Sequence, residues 1–458
     1  MILIDTHCHL DFPDFDQERD AVIERAKDSG VAYIINIGSS VEGSKSSVGL
    51  AKKNPIIYAT VGVHPHYAKD CKGKVPGELK VLAGEKKVVA IGEVGLDYYR
   101  NLSPKDLQKR LFIDFIRLAK ENNLPLVIHT REAHADTLKI LKDEFANEPI
   151  KGVMHCFSAD EEYLKECLEM GLHISFTCNI TFKNAKRLRA LASKVPIERL
   201  LLETDAPFLA PQNFRGKRNE PSYLTYLVEE LSRIYALSAE DIARITTHNA
   251  KRLFGLPLEE ESRIVYPIRE SLYINITNRC TNKCNFCVRN STDFVKGHNL
   301  KLDKEPSADE IMRAVKDPSK YREIVFCGYG EPTLRLDVVK EVAGKLKKKG
   351  LSVRMVTNGE GNLIHKRSIA GELKGLIDKV SVSLNVDTRE QFDKVCKSEF
   401  GPGGFDKVKE FIKECKDAGI KVEVTFLDLP GVDLKRCKRI AEEELKVDFR
   451  LRRYNVVG

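Results

Sequence analysis

The chain has 458 residues, 42% hydrophobic and 31% charged, with 12 cysteines and a formal net charge of +8. That length is too great for one ordinary core, so two domains are expected, and the composition excludes a disordered or fibrous chain. No apolar run reaches the ~18–20 residues that span a bilayer, and Met1 leads straight into ILID with no basic leader, so the expectation is a cytoplasmic protein without membrane contact whose cysteines are reduced or metal-bound. The charge is uneven. Residues 1–261 carry 36 Lys+Arg against 38 Asp+Glu, a net −2, and residues 262–458 carry 39 against 29, a net +10. The basic half reads either as a surface for a polyanion or as a plain solvated face, KLKKKG (345–350) having the look of a helix C-terminus.

In chain order, the first half alternates β-branched apolar runs with amphipathic helical stretches such as KDLQKRLFIDFIRLAKENN. The runs fall at 2–8, 33–38, 57–63, 88–95, 125–130, 152–157, 173–177 and 200–205. Eight strand–helix repeats predict an α/β fold, a closed (β/α)8 TIM barrel with its active site at the C-terminal strand ends. His7 and His9 close the first run and, two apart, share a face. Glu93, His129, His155 and Asp205 fall at or near the ends of the fourth, fifth, sixth and eighth runs. A lone His-x-His can be an ordinary polar strand end. Six imidazoles and carboxylates at one mouth exceed what a single ion needs and suit two divalent ions sharing a carboxylate.

These residues lie in LIDTHCHLD, GVHPH (62–66), IGEVGLDYY (91–99), VIHTREA (127–133), HCFS (155–158), LLETDAPFLAP (201–211), RGKRNEP (215–221) and THNAKRLFG (247–255). Together the stretches resemble the TatD family of metal-dependent hydrolases over about residues 1–256. The resemblance implies hydrolysis of phosphodiesters, typically in DNA, with His7, His9, Glu93, His129, His155 and Asp205 as ligands to two divalent ions and Glu93 bridging them. Nitrogen and oxygen donors suit Zn, Mn, Mg or Co alike. Asp205 can hold the attacking water and accept its proton; Glu203 is a second candidate or simply a polar barrel-end residue. His64 and Arg131 look placed to meet a phosphate. Ala159 and Cys178 stand where relatives usually have glycine, which bears on the pocket loops and so on substrate range.

GLPLEEESRIVYPIRES (255–271), with two prolines, an acidic run and no helical period, reads as a linker. It sets the expected domains at 1–261 and 262–458. The run SLYINIT then leads into Cys280-x3-Cys284-x2-Cys287. Three thiolates on one loop leave a tetrahedral zinc site incomplete unless His298 joins them, whereas they can hold a four-iron cluster with one iron open. The spacing, with Phe286 beside the last cysteine, resembles the radical S-adenosylmethionine (radical SAM) superfamily over about 265–458. EIVFCGYGEPTL (323–334), VRMVTNG (353–359), KVSVSLNVDT (379–388), KVEVTFLDLPGVD (421–433) and VDFRLRRY (447–454) match its later strands, which implies an open partial (β/α)6 barrel.

The resemblance further implies a [4Fe-4S] cluster and S-adenosyl-L-methionine as cofactors. Backbone carbonyls around Gly328, Gly330 and Glu331 would receive the methionine ammonium, and Ser383 and Asn385 its ribose or carboxylate. An electron donor such as flavodoxin or ferredoxin is implied, as is a 5′-deoxyadenosyl radical acting on an unknown substrate. Cys327, Cys396, Cys415 and Cys437 show no paired spacing, and no auxiliary cluster is expected. The whole is similar to TatD-associated radical SAM proteins: a hydrolase acting on nucleic acid or nucleotides, fused to a radical enzyme. Two other readings stay open, a nuclease gated by a redox-sensing cluster and a small-molecule amidohydrolase. The GYGEPT stretch favours catalysis, because a sensor needs no cofactor cradle.

Overall fold

In the computed structural model, which describes residues 1–146, 148–257 and 261–452, the chain divides at residue 258 into two units. The first holds β1 (Leu3–Cys8), β2 (Val31–Asn36), β3 (Ile57–Val61), β4 (Val88–Asp97), β5 (Leu126–Arg131), β6 (Gly152–Met154), β7 (His173–Phe176) and β8 (Leu200–Leu202), side by side in chain order. Neighbours are parallel throughout. Strands covered on both faces become continuous apolar runs; β4 is buried along its whole length. The helix Lys105–Glu121 covers the sheet with Leu111, Phe112, Phe115 and Leu118. The last helix, Ala239–Phe254, starts at a Ser238 side-chain cap and ends at Gly255 with φ 64°, the arrangement that satisfies both helix ends. It packs Phe254 against Ile4, Ile35, Val127 and Leu201.

A parallel bridge between Cys8 and Ala206 joins the first strand to the segment after the last. Asp205 N donates to His7 O and His9 N to Ala206 O, both at 2.8 Å. The eight expected runs all form strands, but β6 and β8 stop early, so His155 and Asp205 sit in loops just beyond them. Cys156 and Asp205 take φ values of 47° and 56°, a left-handed backbone that ends an extended ladder. On β4, a Cβ at Gly95 would stand 2.0 Å from His129 O; glycine there lets β4 and β5 run close where both carry functional side chains.

The second unit has β9 (Val265–Ile268), β10 (Ser271–Ile274), a short ribbon of β11 (Phe294–Val295) and β12 (His298–Asn299), then β13 (Glu323–Phe326), β14 (Val353–Thr357), β15 (Lys379–Asn385), β16 (Lys421–Leu427) and β17 (Asp448–Arg452). The main sheet runs β17-β16-β15-β14-β13-β10-β9. Six of its strands are parallel and β9 is antiparallel to β10. The six parallel strands are those expected; Tyr454, at the end of the last expected run, lies outside the described residues. Part of the supposed linker is a strand instead. Pro267 pairs with Leu272 in β9, and a proline is tolerated there because β9 is an edge strand with no further neighbour to receive an N–H. Phe326, Phe392, Phe411 and Phe426 anchor this unit's core. No helix among the described residues is long and apolar enough to cross a membrane.

Candidate active sites

At the C-terminal end of the barrel, six side chains converge around Glu93. Its Oε2 lies 3.6 Å from His7 Nε2 and 4.0 Å from His9 Nε2. Asp205 Oδ1 is 3.6 Å and 3.5 Å from the same two nitrogens. Glu93 Oε1 faces the other way, 2.8 Å from His129 Nδ1, 3.0 Å from His155 Nε2 and 3.6 Å from His64 Nε2. Within each group the imidazoles approach each other: His7 Nε2 and His9 Nε2 are 3.3 Å apart, as are His129 Nδ1 and His155 Nε2. A cavity of about 670 Å³ opens above them, lined also by Phe12, Tyr67, Arg100, Arg131 and Phe208.

Burial alone would raise the Glu93 pKa, but facing His155 and His64 hold its carboxyl well below the usual carboxylate range. Burial works against charge on His155 too; there Glu93 and Glu203 outweigh it and raise the imidazole well above its ordinary value. At His64 burial, with His129 beside it, outweighs the pull of Glu93 and keeps the imidazole well below its ordinary value.

In the second unit, Cys280, Cys284 and Cys287 follow β10 at the C-terminal end of the parallel sheet. Their loop is braced on two sides. On one, it pairs with the segment after residue 394: Lys283 N donates to Lys397 O, Asn285 N to Val395 O, and Glu399 N to Thr281 O at 2.9 Å. Thr281 Oγ1 donates to the buried Glu360. On the other side, Arg289 binds the Asn278 and Asn282 carbonyls at 3.2 and 3.1 Å and donates through Nε to Cys287 Sγ at 3.2 Å. Cys284 meets the buried Cys396, and that hydrogen bond, with burial, pushes the Cys284 thiol up.

Beside the loop, Gly328 and Gly330 lie against backbone and amide groups. A Cβ on either would stand 2.2 Å from Asn275 Oδ1 or Arg279 O respectively. The Glu331 side chain is fully engaged, accepting from Thr333 N and Oγ1, Thr357 Oγ1 and Asn358 N. Asn385, at φ 67°, donates to Ser383 O at 3.2 Å.

The family model described as TatD related DNase matches residues 4–255, more than half of the chain. The chain belongs to the TatD family of metal-dependent hydrolases. The model for the radical SAM superfamily matches residues 274–443, so a radical SAM domain follows in the same chain. An uncharacterised metal-dependent hydrolase of Bacillus subtilis (strain 168) is 46% identical over 56% of this chain and 100% of its own length. A protein of Pantoea ananatis named 3′-5′ ssDNA/RNA exonuclease TatD is 37% identical, also over 56% of this chain and 100% of its own. The crystal structure of a TatD homologue from Escherichia coli K12 is 31% identical, with a TM-score of 0.52, covering 56% of this chain and 98% of that one.

The TatD residues present fit a pair of ions. A tetrahedral ion with nitrogen or oxygen ligands at about 2.0–2.1 Å holds its ligand atoms roughly 3.3–3.4 Å apart, close to the 3.3–3.6 Å separations among His7, His9 and Asp205. Four sets of three such residues lie within reach of a common ion. The cysteine loop is different. Its sulfurs form no such tight set among the described residues, as suits a cluster, which is larger than one ion and holds its ligands further apart. His298, the fourth ligand a zinc site would need, instead has Nε2 3.1 Å from Pro267 O and its ring 5.2 Å from that of Tyr266.

One carboxylate of the TatD site, Asp97, was not singled out from sequence. Asp97 Oδ2 lies 3.2 Å from His129 Nε2 and 3.0 Å from His66 Nε2. Its other oxygen accepts from Arg100 N, and its own N–H donates to Gln108. A carboxylate fixed in this way sets the tautomer of the imidazole it holds and turns the other ring nitrogen toward the ion. The available signal was GEVGLD, which puts Asp97 four residues beyond Glu93 on the same strand. Glu203 stands behind His155, accepting from Cys156 N at 2.6 Å, and is not part of the cavity lining. That geometry favours a brace over a second proton acceptor. His64 joins Glu93 and His129 in one of those sets of three and also lines the cavity. Arg131 reaches the mouth, and Ala159 and Cys178 are buried.

Proposed function

We propose that the barrel hydrolyses phosphodiesters of nucleic acid or nucleotides with two divalent ions. The observation that carries this is Glu93, which presents one oxygen to His7 and His9, the two imidazoles that Asp205 also meets, and the other to His129 and His155. Two cations in these pockets would supply Lewis-acid charge and water of lowered pKa. Asp205 is the proton acceptor for that water, because it lines the cavity and, unlike Glu93, is not held between both groups of imidazoles. Arg131, exposed at the mouth, meets phosphate oxygens. The relative named as an exonuclease on single-stranded DNA and RNA supports the same substrate class. The test is metal analysis of the reconstituted chain together with hydrolysis of DNA, RNA and nucleotides. A chain that takes up no divalent ion, or cleaves none of them when loaded, refutes the reading.

For the second unit we infer a radical SAM enzyme with its cluster on Cys280, Cys284 and Cys287. Bound there, the cluster would supply one electron to S-adenosyl-L-methionine, drawn from a flavodoxin- or ferredoxin-type donor. The chain's own share is the cradle. Gly328 and Gly330 let backbone carbonyls approach the methionine ammonium, while Glu331 braces that turn through its four hydrogen bonds. Ser383 and Asn385, on β15, are proposed to hold the ribose or carboxylate. A cradle of this kind favours catalysis over redox sensing. Anaerobic reconstitution followed by iron analysis and detection of 5′-deoxyadenosine tests it; zinc uptake without iron would exclude it.

A further inference from the structure

The N-terminal ends of the second unit's parallel strands, opposite the cysteine loop, border a cavity of about 570 Å³. Its floor follows from the alternation of strand side chains. Leu272, Ile324, Val353, Val380, Val422 and Phe449 turn to one face, in or against the helix-covered core. Their chain neighbours turn to the other face, where Ser271, Glu323, Arg354, Lys379, Glu423 and Arg450 form a charged layer. Glu323 accepts from Ser271 Oγ at 2.9 Å and from Arg354 Nη2 at 2.7 Å. Glu423 accepts from Lys379 Nζ at 2.8 Å and from Arg450 Nη1 at 3.3 Å. The first unit does the reverse. There Ile4, Ile35, Val127 and Leu201 form an apolar cluster separate from the helix-covered one, the filling a closed barrel is built around.

Stability is a poor reason for a charged floor, since apolar side chains of similar volume often hold a fold as well as buried ion pairs do, or better. The charges are also out of balance. Arg354 and Lys379 are register partners on adjacent strands, two like charges held side by side. Two more cations line the cavity, Arg269 in the turn between β9 and β10 and Arg322 just before β13. Among the described residues, neither of these guanidiniums is paired with a carboxylate. Counting Glu270 at the rim with Glu323 and Glu423, five cations face three carboxylates, an excess of two positive charges. Burial would raise the carboxyls of Glu323 and Glu423, yet Arg354 and Lys379 respectively hold them below their ordinary values. The local potential is therefore positive. Arg354 is only 7% exposed and cannot relieve it by swinging into water.

We propose that this cavity binds a phosphate monoester, with Arg269 and Arg322 closing on its oxygens at the rim and Arg354 and Lys379 drawing it toward the floor. Guanidinium forks match phosphate oxygens two at a time. Near neutral pH a monoester carries close to the two charges in excess, whereas a diester carries one. The volume lies within the range of small-molecule sites. Hydrolysis of a phosphodiester leaves a phosphate monoester. The source of the ligand, though not the site itself, therefore rests on the phosphodiester reading above: what the first unit would release, the second would take up.

The experiment is calorimetric titration of the full chain, stripped of divalent metal with EDTA, against thymidine 5′-monophosphate, inorganic phosphate, succinate and a dithymidine phosphodiester. The monoester should bind roughly tenfold more tightly than the diester, and its affinity should fall as the pH drops through about 6, where it loses its second charge. Arg269→Ser and Arg322→Ser should each weaken it on the order of tenfold, and Arg322→Lys should weaken it less. Both side chains are exposed, so the unliganded variants should melt together with wild type. A diester or succinate bound as tightly as the monoester, or rim variants that bind like wild type, would overturn the site. Loss of binding in Arg131→Ser instead would place the monoester at the barrel mouth and overturn it equally. Inorganic phosphate bound as tightly as the monoester would overturn the organic ligand in favour of the free ion. A chain that binds the monoester but cleaves no diester would keep the site and lose only its source.

Discussion

The barrel gathers its proposed metal ligands at the ends of five strands, whereas the second unit places its three cysteines on one loop. His7 and Asp205 meet only because Cys8 and Ala206 close the ring; Cys280, Cys284 and Cys287 are neighbours before anything folds. Locality nevertheless does not make the loop self-sufficient. It leans on the segment after residue 394, on Glu360 and on Arg289. The contrast is between a site that folding creates and a site that folding steadies, and substitutions should separate the two.

The largest effects are expected at the ligands, with different signatures. Glu93→Ala removes an oxygen from both ion pockets at once. Hydrolysis should fall on the order of a thousandfold, the equivalent of several kcal/mol of lost charge stabilisation, and bound metal should drop from two ions per chain, as read by plasma emission analysis. Cys284→Ala should abolish iron uptake on anaerobic reconstitution while leaving the barrel's metal content intact. Loss of barrel metal in the cysteine variant would break the separation drawn here.

The braces come next. Asp97→Asn keeps the shape of the side chain but weakens its hold on His129, and a partner of this kind typically costs 10–100-fold in metal affinity or activity. Competition with a chelator of known strength would measure it; an unchanged affinity would make Asp97 a bystander. Arg289→Gln removes a charged N–H donor from Cys287 Sγ. Positive charge and hydrogen bonds at the sulfurs favour the reduced, more negative cluster, so the midpoint potential should fall by about 60 mV, a tenfold shift for a one-electron couple. A potentiometric titration followed by electron paramagnetic resonance reads this directly. Equal potentials in the two forms would reduce Arg289 to a loop prop.

The smallest effect is on stability. His173, at the start of β7, is held neutral by burial and by the nearby Arg199 and Arg252, with its pKa lowered to about 3. An unfolded chain takes up this proton near the ordinary value of 6.5 while the folded barrel does not, so the contribution is present above that pH and is lost as pH falls from 6.5 toward 3. Urea midpoints of His173→Asn should therefore decline less steeply than wild type below pH 6.5. Parallel declines would assign the acid sensitivity to other groups.

Much of this was legible in the sequence because it repeats. Eight apolar runs at regular spacing, each ending in a turn, have few folds open to them, and ligands at strand ends follow from barrel geometry. The cysteine spacing was legible because it is local. What escaped was of another kind. Val265–Ile268 carries a proline, which argues against a strand unless the strand is an edge, and edges are a property of the whole sheet. Asp97 was hidden by its own ordinariness: its role depends on the reach of His129 from the next strand. Arg289 looks like any loop cation until its three bonds are seen together. The ends of β6 and β8 came earlier than expected because backbone conformation at Cys156 and Asp205, not apolarity, terminates the ladder.

The join between Cys8 and Ala206 has a mechanical consequence. The peptide groups that fasten the ring belong to His7, Asp205, His9 and Ala206, so the clasp of the barrel and the grip on the first ion are one object. Cations held there would act as rivets across the seam between the two ends of the sheet. Slackening of the ring would then be felt first as a loosened ion, and a filled pocket would protect the seam in return.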